Sequence, residues 1–484
     1  MKGTGAKRLI KLIPASDSGL CKADAIVVAL ALAIGLASAL ALPFLTYDSW
    51  AWMIWARELT SLSMDASAGP SMKPLPVLFA APLASFGDLG PLAWLTLARA
   101  SFLVCPWAAL RLGTILADRL AGVIAAAALL MMSPLQNTAI EGYSEPLVVL
   151  LVLLAVTALI RNRGETALVC LVFAGLMRPE AWLYIWAVAL WLLLRQRIGL
   201  VRALNYSFAA PTIWLSMVWI STGSPTHLFM QASTQQPSKL FAPTWQLIDQ
   251  IPLPALVFAG VTLACFFAYI QRNPTLTVLL AGAMSSIALY QIMVTLGMTV
   301  QPRYLMSGAA LLIICSAWGV SRAVAALPSR RARDLITLAV VCGLVISVPA
   351  IVYFKVLRQG TTTSMIAAAD RQVAALDALS EAVGLAGGKT AVLAKDRPIM
   401  LNISMRTGMA WKLDLSVGEV ATVWPDTGAA GVKGPAFAFE APASDAGESF
   451  GLPLGVSSRT VGESGPWRVL LIEPSGTSSP QSGP

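Results

Sequence analysis

Apolar runs of roughly bilayer length recur along the first three quarters of the chain, separated by short polar breaks, and the pattern changes near residue 354. The runs fall at 23–45, 91–111, 119–135, 146–160, 203–221, 254–271, 275–297, 303–320 and 335–354. A hydrocarbon core of about 30 Å takes about 20 residues of helix, so these runs predict membrane helices. The tract 165–194 differs. Arg161 and Arg163 bound it on one side, Arg195 and Arg197 on the other, and Arg178-Pro179-Glu180 breaks its middle. Each half reaches only about 20 Å, which predicts two half-helices meeting at a polar tip that lines a protein or water cavity. The pattern reads as a polytopic α-helical membrane protein of about eleven membrane segments.

Beyond residue 354 the periodicity becomes that of a water-facing domain. Met365, Val373, Leu376, Leu379 and Val383 predict helix around 362–386, followed by strand-like runs at 390–394, 399–404 and 468–472. Residues 355–484 are therefore expected to form a small α/β domain, with 1–354 as the membrane module, and the Gly/Ser/Pro-rich end Ser475–Pro484 is expected to be disordered. The sequence Gly384–Thr390 imitates a phosphate loop but is one residue short and follows a helix, so it is set aside.

Composition sharpens this picture. Only 12% of residues are charged, about half of what a soluble domain carries, while 57% are hydrophobic. The net charge of +9 does not point to nucleic acid, because the basic residues lie in short loops between apolar runs. With the N-terminus in the cytoplasm, alternating the runs puts seventeen basic residues in cytoplasmic segments, against Arg57, Lys73, Arg178, Lys239 and Arg303 in exoplasmic loops. The first apolar run follows Lys2, Lys7, Arg8, Lys11 and Lys22 and is longer than a signal-peptide core, so it reads as an uncleaved anchor despite the small residues Ala37–Ala41. The expected location is the inner (plasma) membrane, with an exoplasmic C-terminal domain. Six cysteines lie in or beside apolar runs, and His227 is the single histidine, so neither a disulfide framework nor a multi-His zinc site is expected.

Ionisable residues near a membrane are costly, which makes their distribution informative. The topology puts Asp48, Lys73, Glu141, Glu145, Arg178, Glu180, His227 and Arg303 on one side, from five separate segments. In the first loop, 46–90, Asp48 directly follows the first run. Trp52, Trp55 and Leu59 then share a helical face, as in a helix lying in the interface with tryptophans at headgroup level. A short apolar stretch from Lys73-Pro74-Leu75-Pro76 to Phe86 also reads as interfacial.

In the order of these elements the chain resembles the GT-C glycosyltransferases, in particular bacterial relatives of the dolichyl-phosphate-mannose protein mannosyltransferases. The resemblance runs over about residues 23–320. It comprises the Asp after the first span, the Trp-rich juxtamembrane helix, Lys73–Phe79 and Arg99 in the next span. It continues through Glu141-Gly142-Tyr143-Ser144-Glu145-Pro146, Arg178-Pro179-Glu180 and Gln301-Pro302-Arg303-Tyr304-Leu305. It implies transfer of a sugar from a polyprenyl-phosphate donor to an acceptor hydroxyl on the exoplasmic face. The acceptor class, whether glycan, lipid or protein, stays open, and so does the sugar. Many members carry two adjacent acidic residues in the first loop, whereas Ser49 follows Asp48 here, so no cofactor is certain and a divalent metal stays open.

A hydroxyl attacks well only when a base takes its proton, and Asp48 is the candidate. The departing phosphate needs fixed positive charge, for which the planar fork of Arg303 is the first candidate, with Lys73 and Arg178 behind it. Glu141, Glu145, Glu180, Tyr304 and His227 complete the candidate substrate-binding set. Each has a plainer rival. Asp48 caps a helix, Arg303 snorkels to headgroups, Arg178 pairs with Glu180, Glu141 and Glu145 orient Arg99 or Lys73, and His227 is an ordinary loop histidine. Arg99, about 12 Å into its span, reads as one half of a buried ion pair. At the level of the whole chain the alternatives are a transporter or lipid flippase of envelope precursors, and a non-catalytic scaffold.

Overall fold

The computed structural model describes residues 22–69, 72–227, 244, 248, 254–298, 300–352, 361–392, 400–401, 403–420, 436–440 and 456–474. It is mostly helical, and the described part of each apolar run lies largely in helix. In chain order the membrane module runs α1 (Lys22–Ala41), α2 (Tyr47–Thr60), α3 (Pro74–Ala80), α4 (Leu89–Leu116), α5 (Arg119–Leu130), α6 (Ser133–Ile140) and α7 (Glu145–Ile160). It continues with α8 (Gly164–Gly175), α9 (Ala181–Leu194), α10 (Leu200–Thr222), α11 (Pro254–Ile270), α12 (Pro274–Thr295), α13 (Met306–Ala325) and α14 (Arg330–Val352).

Among the described residues five helices are individually long and apolar enough to cross a membrane: Lys22–Ala41, Leu89–Leu116, Pro254–Gln271, Pro274–Thr295 and Pro302–Ala325. A sixth is the pair α5 and α6, bent by 53°. The expected straight span 119–135 is thus broken at Met131-Met132: Met132 is extended, and Pro134 in the first turn of α6 has no amide hydrogen with which to continue α5. The tract 165–194 divides as expected into α8 and α9 on either side of the turn at Arg178-Pro179. Helices α4 and α5 pack backbone to backbone. A Cβ on Gly113 would stand 2.9 Å from the Ala121 carbonyl oxygen and from Gly122.

The C-terminal region is an α/β unit: α15 (Thr361–Asp377), α16 (Leu379–Leu385), α17 (Lys389–Val392), β1 (Met400–Leu401), α18 (Ile403–Lys412), β2 (Ala436–Glu440), β3 (Val456–Ser464) and β4 (Trp467–Pro474). The sheet order is β1-β2-β4-β3, with β1 and β2 parallel and the other pairs antiparallel. Phe439 and Trp467 meet edge to face at 6.1 Å in its core, and the Trp467 indole donates to the Ala375 carbonyl. Of the three expected strands, 468–472 is β4. The run at 399–404 holds only the two residues of β1 before turning into α18. The expected strand at 390–394 is corrected: its described part is the helical turn α17, and 393–394 lie outside the described residues, as does the tail Ser475–Pro484.

A second correction concerns the tryptophans. Trp52 and Trp55 were expected at headgroup level, yet both are 0% exposed. The physical reason is that protein covers the face the sequence assigned to lipid: Trp52 meets Trp94 of α4 edge to face at 5.7 Å and the Trp55 indole donates to the Asp65 carbonyl at 3.0 Å, while α18 packs along the side of α2 that carries Trp50. Thr407 Oγ1 donates to the Tyr47 carbonyl at 3.0 Å, and Trp50 stacks on Trp411 at 5.9 Å. Arg57 reaches the Leu415 carbonyl at 2.6 Å and Asp414 at 2.8 Å. Both ends of α2 are therefore held by the C-terminal unit.

Candidate active site

Six of the predicted residues meet in one buried cluster. Glu145, only 2% exposed, opens α7, where the helix N-terminus favours a carboxylate. Its Oε1 accepts from Arg178 Nη2 and lies 3.8 Å from Lys73 Nζ and 3.5 Å from Arg303 Nε. Arg303 Nη2 donates to Asp48 Oδ2 at 3.0 Å. Tyr304 lies under the Arg178 guanidinium at 3.8 Å, while Arg303 stacks on Tyr143 at 4.0 Å.

Local backbone chemistry brings these side chains together. Gly142 has φ +73°, the left-handed region where a side chain is strained, and a Cβ there would stand 2.6 Å from Leu45 Cδ2. Its carbonyl accepts from Ser49 Oγ and Trp94 Nε1, both at 2.8 Å, and the Thr46 amide donates to the Glu141 carbonyl at 3.2 Å. The loop carrying Glu145 is thereby fastened to the one carrying Asp48. Lys73 precedes Pro74, the first residue of α3, and the Leu75 amide donates to the Leu176 carbonyl at 3.1 Å, two residues before Arg178. Arg303 and Tyr304 sit on a single 3-10 turn, Pro302–Leu305, ahead of α13.

Three cations thus surround the paired carboxylates Asp48 and Glu145, with Glu141 close enough to act on Arg303 and Glu180 on Arg178. Lys73 also donates to Ser144 Oγ at 2.8 Å and lies 4.8 Å from the Trp52 ring centre. Burial pulls its ammonium down to about 8, outweighing the attraction of Glu145. Burial likewise pushes the Glu141 carboxyl up to about 7, against the pull of Arg303. Hydrogen-bonding capacity is left over: Glu145 Oε2, Glu180 Oε2 and Arg303 Nε are buried without a hydrogen-bond partner among the described residues. Unmade bonds of this kind are costly unless a ligand makes them.

Several expectations are corrected in detail. Arg178 pairs with Glu145, not Glu180. Arg99 forms no ion pair among the described residues. Its guanidinium donates to the carbonyls of Ser38 at 2.5 Å, Leu42 at 2.9 Å and Ile140 at 3.0 Å, carbonyls at the ends of α1 and α6 standing in for a carboxylate. Asp48 lies in the first turn of α2, whose N-cap is Thr46. His227 stands apart from the cluster, its ring nitrogen 3.3 Å from the Ser67 carbonyl. Tyr143, Ser144 and Trp52 belong to the site without being among the expected residues. Tyr143 and Ser144 lie inside the very loop singled out for its acids, and their neighbours' charge was the available signal.

A divalent metal does not fit this donor set. Among the described residues no three His, Cys, Asp or Glu side chains gather as ligands, and Asp48 and Glu145 are engaged by cations that would repel one.

No family model matches the chain, and no curated protein matches it. Among solved structures it is similar to ArnT from Cupriavidus metallidurans, crystallised bound to undecaprenyl phosphate. The TM-score is 0.53 at 14% identity, over 94% of this chain and 99% of that one. The chain shares the fold of that structure, a multi-pass membrane architecture with a small C-terminal α/β domain.

Proposed function

We propose that the protein is a glycosyltransferase that moves a sugar from a polyprenyl-phosphate donor to an acceptor hydroxyl on the exoplasmic face. The observation that carries this is the cluster itself: Asp48, Lys73, Glu145, Arg178 and Arg303, from five separate segments, with three buried cations beside a candidate base. The likeness to ArnT, whose structure holds undecaprenyl phosphate, supports a phosphate-bearing lipid as the donor.

In this reading the donor phosphate takes the guanidinium of Arg303, whose planar fork matches two phosphate oxygens, and so relieves Asp48 of its partner. Lys73 and Arg178 add fixed charge on the same side. Glu145 holds the three cations in place, because cations gathered without a counter-charge repel one another. The acceptor hydroxyl loses its proton to Asp48 as its oxygen bonds to the anomeric carbon, the bond from that carbon to the phosphate oxygen breaks, and polyprenyl phosphate leaves with its charge held by Arg303. Glu141, Glu180 and Tyr304 shape the pocket around these groups, and the loop of His227 is assigned to acceptor contact.

The test is transfer in membranes supplied with radiolabelled polyprenyl-phosphate sugars. Asp48→Asn should lower transfer by about 10²–10⁴-fold at unchanged protein abundance. Arg303→Ala should raise the donor KM, and Arg303→Lys should restore it only in part, since an ammonium lacks the fork. Full activity in Asp48→Asn removes the base assignment, and an unaltered donor KM in Arg303→Ala removes the phosphate assignment.

A further inference from the structure

All three cations of the cluster rest on the face of an aromatic ring. Arg178 lies 3.8 Å from the centre of Tyr304, Lys73 4.8 Å from Trp52, and Arg303 4.0 Å from Tyr143. A ring face holds positive charge without using an N–H, so the in-plane donors of a guanidinium stay available for oxygen ligands. Arg303 shows the consequence. Its one hydrogen bond among the described residues runs from Nη2 to Asp48 Oδ2 at 3.0 Å. Its Nε, 3.5 Å from Glu145 Oε1, is buried without a hydrogen-bond partner among those residues. An arginine beside a carboxylate commonly closes on it with two parallel bonds, and here it makes only one. The ring beneath it is firmly mounted. The Tyr143 amide donates to the Thr138 carbonyl at 2.9 Å, and its phenol hydrogen-bonds the Thr46 side chain. Burial pushes that phenol up, against the pull of Arg303, so the ring stays neutral.

We infer that Tyr143 is a positioning residue: it holds Arg303 by the face, so that the guanidinium meets Asp48 with one nitrogen instead of two and keeps its remaining edge for the donor phosphate. The inference rests on the donor-phosphate reading above and adds what keeps that site open before the donor arrives. Without the ring, the guanidinium is free to turn and close on Asp48 with both arms. A phosphate then has to displace two charge-assisted bonds instead of one. The closed fraction of molecules binds no donor, and the apparent affinity falls in proportion to it. The same closure would occupy both oxygens of the base. Tyr143 thus acts through Arg303, and the one unspent nitrogen, Nε, is the visible trace of that restraint.

The test is titration of dodecyl phosphate against the full-length protein in phosphatidylcholine nanodiscs, read by native mass spectrometry. Tyr143→Leu should weaken binding roughly tenfold, and Tyr143→Phe, which keeps the ring, by less than about threefold. Adding Asp48→Asn to Tyr143→Leu should recover most of the lost affinity, because an uncharged amide does not draw the guanidinium in. A merely structural defect would not be repaired in this way. Phenylalanines carrying one, two and three ring fluorines at position 143 should weaken binding stepwise, since fluorine drains the negative face of the ring. That series decides if Tyr143→Leu does not fold. Equal affinity in Tyr143→Leu and wild type, no recovery on adding Asp48→Asn to a folded Tyr143→Leu, or indifference to fluorination overturns the inference. Wild-type protein that binds no dodecyl phosphate removes the donor-phosphate reading and this inference with it, whereas failure of the ring variants alone leaves that reading standing.

Discussion

At the scale of single residues the cluster is a set of charges held where water is scarce, and its behaviour follows from that. Lys73 shows it best. Its ammonium, at about 8, loses its proton within the range an assay can reach, whereas a guanidinium does not. Raising the pH through about 8 should therefore remove one of three positive charges and weaken donor binding. A pH series of donor KM should show this rise, and Lys73→Arg should flatten it. A basic limb that persists unchanged in Lys73→Arg would assign the effect to another group. The identities of Asp48, Lys73, Glu145, Arg178 and Arg303 were legible in the sequence because ionisable residues beside apolar runs are too costly to be incidental. Their partners were not. That Arg178 chooses Glu145 over the nearer Glu180, and that Arg99 takes three carbonyls instead of a carboxylate, depends on which helix ends face each other.

At the scale of elements, the site depends on two short loops fastened together more than on the long helices. Gly142 is the fastening. Gly142→Ala combines a left-handed backbone with a Cβ pressed on Leu45, and should cost about 1–3 kcal/mol, read as a lower thermal midpoint in detergent, with a larger loss of transfer as the Ser49 and Trp94 contacts shift. Wild-type stability in that variant would show that the loop tolerates another path. Helix α2 teaches a related lesson about reading patterns. Its tryptophan spacing marked an apolar face, but apolar periodicity does not say whether lipid or protein covers it, and here α4 and the loop at Asp65 cover Trp52 and Trp55 while α18 covers Trp50. The strand at 390–394 failed for a similar reason: four residues of mixed propensity take the form their neighbours impose.

At the scale of the whole molecule, the proposal requires the cluster and the C-terminal unit to share one compartment. Single cysteines introduced at position 235 and just after residue 360, in a background lacking the six native cysteines, should be labelled by a membrane-impermeant maleimide in intact cells. Labelling of either only after permeabilisation would overturn the proposed orientation. The C-terminal unit also has a mechanical part, since it grips α2 through Arg57 and Thr407 at opposite ends.

What the sequence determined by itself is the class of environment and the raw material of the site. Bilayer-length apolar runs admit few other structures, because a backbone in hydrocarbon has to satisfy its own hydrogen bonds, and scarce charges near such runs mark where work is done. What only the tertiary structure decided is which charges touch and what covers the apolar faces. Asp48 and Arg303 are 255 residues apart, and no local pattern encodes a 3.0 Å bond across that separation; it follows from the packing of helices whose surfaces have to fit all at once.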